Sequence, residues 1–325
     1  MIVPFRRGLS EVAAGTHAYL QPDGSWGWSN AGLVVSGGEA LLVDTLFTVP
    51  LTHVMLGEIA RALPDVRIRT LVNTHSDGDH WWGNQLLADA SRDVGVVAPE
   101  VEIVASAAAA AAMRRDKTHE LLTSMPPDAL PRVLARMVET FDFAGIVPAL
   151  PTRTFSGELE LRVRERTVRL IQVGPAHTAG DVLVHVPDAG VLFAGDILFE
   201  GGHPVVHTGP IGSWIAACEL ILALDADTIV PGHGPVVGKP EVRRFREYLV
   251  RVRDHAVECH EAETPFEEAV RSMDLSGFTH LADPERLMLN IGAVYRELNG
   301  DGTPDEHELL ARLDEFAAPL AGERA

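Results

Sequence analysis

The sequence predicts an α/β fold, and three observations carry that expectation. Short β-branched apolar runs alternate with helix-like stretches over residues 31–98 and again over residues 168–230. Polar residues stand beside glycine, just after or at the end of apolar runs, at His75, His177, Asp196 and His233. The helical material outside this alternation falls into two blocks, residues 100–143 and residues 240 onward.

Taken in order, residues 12–20 and 31–44 read as strands, with Gly37-Gly38 punctuating a hairpin in the second stretch. Residues 21–30 form a loop holding Trp26 and Trp28, which either line a binding mouth or pack on the hairpin. Residues 51–63 show helical spacing through Val54, Leu56, Ile59, Ala60 and Leu63, and stop before Pro64. Residues 66–73 are a strand; residues 85–90 read as a helix and 94–98 as a strand. The block 100–143 reads as a helical insertion. Its alanine run 105–113 favours helix, Pro126, Pro127 and Pro131 interrupt, and 130–141 resumes. It is either scaffold or a lid. Residues 158–163 alternate as a half-exposed strand does; 168–173, 182–186, 191–194 and 228–230 are further strands, with a helix over 211–224 between the last two. A long arginine-bearing helix covers 240–260, and 264–319 is helical and charged. The expected division is a main domain over 1–250, including the insertion at about 100–145, and a helical C-terminal extension over 251–325 packed on it.

Composition narrows the partners. The formal charge of −19 disfavours nucleic acid and anionic membrane, which call for basic patches, and leaves a small-molecule substrate. A homo-oligomer stays open. Cys218 and Cys259 have neither metal-like spacing nor a disulfide pattern. No signal peptide and no run of 18 apolar residues is seen, so the cytoplasm is the default expectation.

The chemistry concentrates in His75-Ser76-Asp77-Gly78-Asp79-His80, between an apolar strand and a helical stretch. Imidazole and carboxylate are ligands for zinc, iron and manganese; the alternative reading is a polar turn capping a helix. Gly174-Pro175-Ala176-His177-Thr178-Ala179-Gly180-Asp181, Phe193-Ala194-Gly195-Asp196 and Val230-Pro231-Gly232-His233-Gly234 repeat the arrangement.

In this order, over residues 12–237, these words resemble the metallo-β-lactamase-fold superfamily. The resemblance implies an αββα sandwich with two divalent metal ions at one edge, zinc foremost. It implies that His75, Asp77 and His177 form one metal site, that Asp79, His80 and His233 form the other, and that Asp196 bridges. Asp79 and a metal-bound water would carry catalysis, the water losing a proton near neutral pH. The implied activity is hydrolysis of an ester, thioester, lactone or amide.

One position departs from the hydrolase pattern: Asp77 stands where histidine is usual. With the extra carboxylate, two divalent ions and a bridging hydroxide sum to neutrality, which favours iron or manganese over zinc. A carboxylate-rich diiron or manganese oxidoreductase is therefore the alternative; a shorter reach from Asp77, leaving one site weak, is a third. Around the ligands, Thr74 and Thr178 are hydrogen-bond donors in reach. Asp181 and Asp44 are candidates for orienting the ligand loops. His203, His207 and Trp82 are candidates for contact with substrate, with solvated or core roles as their alternatives.

Overall fold

The computed structural model describes residues 3–89, 95–299 and 308–313. Two mixed sheets lie face to face. The first runs in the order β1 (Gly8–Ala13), β2 (Thr16–Leu20), β3 (Ala31–Ser36), β4 (Glu39–Val43), β5 (Arg67–Val72), β6 (Val97–Ser106), β7 (Arg153–Phe155). Its first half is antiparallel hairpins and its second half is parallel. The second holds β8 (Glu158–Val163), β9 (Arg166–Gln172), β10 (Val182–Val186), β11 (Val191–Phe199) and β12 (Thr228–His233), in spatial order β12-β11-β10-β9-β8. Only β11–β12 is parallel there, joined through α7 (Ile211–Ala223).

Side chains alternate across each strand, so one sequence run feeds two cores. Val34, Leu41 and Val72 meet Leu170, Val184 and Phe193 between the sheets. Leu33 and Leu42, one residue along, face outward onto Leu56 and Ile59 of α1 (Val49–Ala62). On the other outer face, Leu183 and Leu192 pack under Trp214 and Cys218 of α7 and Leu249 and Val252 of α8 (Lys239–Glu261). The layers are helix, sheet, sheet, helix, as expected.

Several boundaries differ from the sequence reading. Residues 12–20 are not one strand: a turn at Gly15 (φ +65°) folds the chain into a β1–β2 hairpin. Val54 does not join the buried stripe of α1 and is 52% exposed; Thr52, Met55, Leu56 and Ile59 are the buried set. β6 continues to Ser106, inside the stretch read as insertion, because its parallel neighbours supply partners that alanine propensity does not foresee. The insertion proper is α4 (Ala107–Met113), α5 (Thr118–Ser124) and α6 (Arg132–Thr140), capped at its start by Ser106 Oγ on the Ala109 amide. β7 is three residues long and too short to show a pattern.

The 250/251 boundary falls inside α8, a 23-residue helix. α9 (Phe266–Ser272) and α10 (Leu287–Asn299) then continue the same outer layer. The expected helix at 264–319, the end of the helix at 85–90 and the start of the strand at 94–98 lie partly outside the described residues. Among the described residues, no helix is long and apolar enough to cross a membrane.

Candidate functional site

Four strand ends deliver the polar residues to one edge of the sandwich. β5 ends at Val72, and Asn73 begins a short tie-down: its Nδ2 donates to the His80 carbonyl (3.0 Å), and Asn84 Nδ2 donates to Asn73 Oδ1 (2.8 Å). Thr45 N donates to the same His80 carbonyl. These bonds fix α2 (Gly78–Trp81), the single turn that carries Asp79 and His80. Asp77 occupies the N-cap position of α2 but makes no capping bond. Its Oδ2 lies 3.0 Å from His177 Nε2, 3.2 Å from His207 Nε2 and 3.8 Å from His75 Nε2. The capping alternative is thus set aside, and Asp77 reaches the cluster despite its short side chain.

Two groups of potential ligands result: His75, Asp77, His177 and Asp196, and Asp79, His80 and His233. Within each, one donor atom per residue lies within 4.8 Å of the others. Asp196, on β11, stands between them. Its carboxylate is 3.1 Å from His80 Nε2, 3.4 Å from His177 Nε2, 3.5 Å from His233 Nε2 and 3.8 Å from His75 Nε2.

The outward nitrogen of every histidine is held. His177 Nδ1 meets the Val205 carbonyl (2.6 Å) and His233 Nδ1 the Gly24 carbonyl (3.1 Å). His80 Nδ1 donates to Asp44 Oδ2 (3.0 Å). Thr74 Oγ1 spends its proton on the same oxygen (2.7 Å), so it can only accept from His75 Nδ1 (2.9 Å). Asp44 Oδ1 accepts the Thr74 amide at 2.7 Å. The network places all four Nδ1 protons outward and leaves the Nε2 atoms as inward donors of lone pairs. Asp44 holds this post with a left-handed backbone (φ +61°), which aspartate tolerates better than most residues.

The fit to a cation rests on orphaned atoms. His75 Nε2, His80 Nε2 and Asp196 Oδ1 are buried and make no hydrogen bond among the described residues. His80 Nε2 and Asp196 Oδ1 lie close yet unaligned, as two ligands aimed at a common point do. Leaving buried polar atoms unmatched is costly unless something else satisfies them.

Electrostatics agree. Burial dominates at His75 and pushes its pKa down to about 3, so it is a neutral donor. At His233 burial is outweighed by Asp196 and Asp79, which push it up to about 9. At Asp77 burial is overcome by His207 and His177, and the carboxyl stays well below its usual range. Asp196 is held well below too, against burial, by His233, His80 and His75. The protons these histidines retain sit between imidazole and carboxylate, where a divalent ion can take their place.

Two glycines permit the geometry. Gly195 has φ +51° and lies against the Thr74 side chain, and a methyl at Gly232 would fall on the Asp196 carboxylate. Asp181 accepts from the Ala176 and Thr178 amides and from Thr178 Oγ1, stapling the loop that carries His177. Ser106 Oγ donates to Gly180 in the same loop, tying it to the insertion.

The cluster floors a cavity of about 370 Å³. Leu122, Val133, Leu134 and Met137 of the insertion helices line it, as do Trp82 and His207. Trp81 is fully buried instead. His203 is corrected: it is buried, makes no part of the cavity wall, and bonds Tyr248 Oη through Nδ1 (2.8 Å). Sequence reasoning missed Asn73, Asn84 and Thr45, whose roles depend on backbone carbonyls, and Arg286, which also lines the cavity.

Residues 24–233 match the metallo-beta-lactamase superfamily family model. The α subunit of a Nocardioides sp. 2,4-dinitroanisole O-demethylase is 37% identical over 91 residues, 27% of each chain. A beta-lactamase-like protein 2 homolog of Caenorhabditis elegans is 24% identical over 278 residues, 84% of this chain and 79% of the other. Among solved structures, a stereoselective inverting sec-alkylsulfatase from Pseudomonas sp. superposes with a TM-score of 0.69 at 16% identity, over 93% of this chain and 52% of that one. The chain therefore spans about a quarter of the demethylase subunit and half of the sulfatase. At that identity the likeness is one of fold. The family match covers β3 to β12 and every strand end that feeds the cluster, so the chain belongs to the metallo-beta-lactamase superfamily.

Proposed function

We propose that this protein is a metal-dependent hydrolase of an ester, thioester, lactone or amide bond, and that it holds two divalent ions. The observation that carries the reading is the convergence of four inward Nε2 atoms on three carboxylates, with His75 Nε2, His80 Nε2 and Asp196 Oδ1 buried and unmatched. His75, Asp77 and His177 would hold one ion, Asp79, His80 and His233 the other, with Asp196 shared. Bound there, such ions supply an acidified water and a Lewis acid for the oxygen that gains charge. The sulfatase and demethylase relatives widen the candidate bonds to sulfate esters and activated aryl ethers.

The chain's own residues do the rest. Asp79 Oδ2, 3.2 Å from His233 Nε2 and partly open to the cavity, is placed to orient a water and accept its proton. His207 Nε2 stands at the cavity wall beside Asp77 and can donate to a departing group. The insertion helices present apolar side chains that exclude water from the bond being cut.

The second reading, a diiron or manganese oxidoreductase, is favoured by Asp77 being in contact with the cluster. Elemental analysis of the purified protein and of an Asp77→His variant separates the two. Zinc in both, with turnover of at least one of 4-nitrophenyl acetate, an acyl thioester, a lactone, an anilide or an alkyl sulfate, supports the hydrolase. Iron or manganese in the parent, replaced by zinc in the variant, with no turnover by the parent, overturns it.

A further inference from the structure

The cavity contains a cation that the metal cluster does not use. Arg286 lies between α9 and α10, outside the segment matched by the family model, and its side chain is only 2% exposed. It lines the same cavity as Asp77, Asp79 and His233, and Asp196 and Asp79 are within its electrostatic reach. The guanidinium carbon sits 4.1 Å over the Trp26 ring and 5.9 Å over Phe199. Nη1 donates to the His203 carbonyl (2.9 Å). Nη2 is 3.1 Å from Asp283 Oδ2, but that oxygen makes no aligned hydrogen bond, and Arg286 Nε has no acceptor among the described residues. A guanidinium has five N–H donors. A purely structural arginine buried this deeply would have them matched, because a buried donor left without an acceptor is destabilising.

A second residue of the same cavity wall carries an unmatched donor. Trp26 Nε1 is also buried without a partner among the described residues, and Trp26 also lines the cavity. The guanidinium and the indole, stacked at the wall of one cavity, each keep an N–H without an acceptor among the described residues. Leu310, Val133, Leu134 and Met137 supply apolar wall to the same cavity. In a chain of net charge −19, with three carboxylates in the adjacent cluster, a guanidinium at the cavity wall is where an anionic group is tolerated.

We infer that Arg286 and the Trp26 indole N–H form a recognition site for a compact anionic group, carboxylate or sulfate-like, carried on a substrate whose remainder is apolar. This deepens the hydrolase reading and rests on it only for the word substrate; binding is measurable without turnover. Octanesulfonate, octanoate and octanol are titrated calorimetrically into the metal-loaded protein and again after chelation. Both anions are expected to bind at least tenfold more tightly than octanol in each state. The anion that binds more tightly identifies the head group. Arg286→Met, which keeps length and removes charge, is expected to abolish the preference; Arg286→Lys retains part of it; Trp26→Phe, which keeps the stack and removes the donor, weakens both anions severalfold. Octanol binding as tightly as the anions to the parent chain overturns the inference with no variant needed. So does an undiminished preference in Arg286→Met. A protein that binds octanesulfonate through Arg286 yet hydrolyses nothing sustains this site and refutes the proposed activity; one that cleaves neutral esters and shows no charge preference does the reverse.

Discussion

Asp44 is the residue whose change tests the cluster most sharply. It touches no inward donor atom, yet one oxygen receives both Thr74 Oγ1–H and His80 Nδ1–H, and Thr74 passes the same constraint on to His75. Asp44→Asn keeps the shape and alters one atom. If the amide oxygen takes the Oδ1 place to keep the Thr74 amide bond, the NH₂ group faces Thr74 Oγ1 and His80 Nδ1 as a donor. The threonine hydroxyl must then turn toward His75 Nδ1, and both imidazoles are driven to carry their proton on Nε2, pointing into the cluster. The flipped amide sets NH₂ against the Thr74 N–H, now 2.7 Å from Oδ1, donor against donor. Loss of one outer partner of a ligating histidine typically lowers metal affinity by about 10–100-fold. Two histidines are struck at once, so the expected loss is about 10²–10⁴-fold, or roughly 3–6 kcal/mol at about 1.4 kcal/mol per decade. Competition for zinc against a chromophoric chelator reads this directly, with circular dichroism to show that the fold is kept. A folded Asp44→Asn protein with parental zinc affinity would refute the claim that Asp44 sets the tautomers.

Other outcomes follow from single contacts. Chelation should lower the melting temperature and added zinc restore it, because a ligand at a thousandfold excess over its dissociation constant adds about 4 kcal/mol; a melting curve indifferent to both speaks against an ion in this cluster. Gly232→Ala should cost metal binding more than stability, since its methyl meets the Asp196 carboxylate, and elemental analysis checks it. Asn290 accepts from Val206 N (3.0 Å) and donates to the Pro204 carbonyl (3.0 Å), fixing the strap whose Val205 carbonyl holds His177. Asn290→Ala should therefore lose about 2–4 kcal/mol in urea unfolding, at roughly 1–2 kcal/mol per buried bond left unmatched, and weaken zinc binding as well. Burial pushes the Cys218 thiol up to about 12, so almost no thiolate forms at pH 8. Ellman's reagent should titrate only half-buried Cys259 in the folded protein and both cysteines in guanidinium; two fast thiols would contradict the packing under α7.

The sequence made the cluster legible because its members are histidines and aspartates in or just after the ends of apolar runs, with glycine in each segment. His75, Asp77, Asp79, His80, His177, Asp196 and His233 need only one-dimensional spacing to be noticed, and the structure brings their inward atoms together. The layered fold was legible for a related reason: strands buried on one or both faces write their period in Val, Leu and Ile. What stayed hidden depends on partners rather than on the residue itself. His203 and His207 lie four apart in one loop with the same apparent prospects, yet Tyr248 draws one into the outer helical layer while Asp77 holds the other at the cavity. Nothing near either histidine announces α8 as a neighbour.

Arg286 is the extreme case. It follows Asp283-Pro284-Glu285 in a charged stretch, yet is a buried cation, lying against the ring of Trp26 some 260 positions earlier and donating to the His203 carbonyl. Two unremarkable loops, one before the family's first ligand and one after its last, thus meet over the cluster. The ligand set is confined to the sandwich edge, whereas the walls above it come from the insertion helices, the loop of Trp26 and the C-terminal helices. A change of chemistry would have to alter the edge; a change of substrate needs only these walls. That division is why the ligand words identify the family at once, while the specificity of this chain had to be read from its packing.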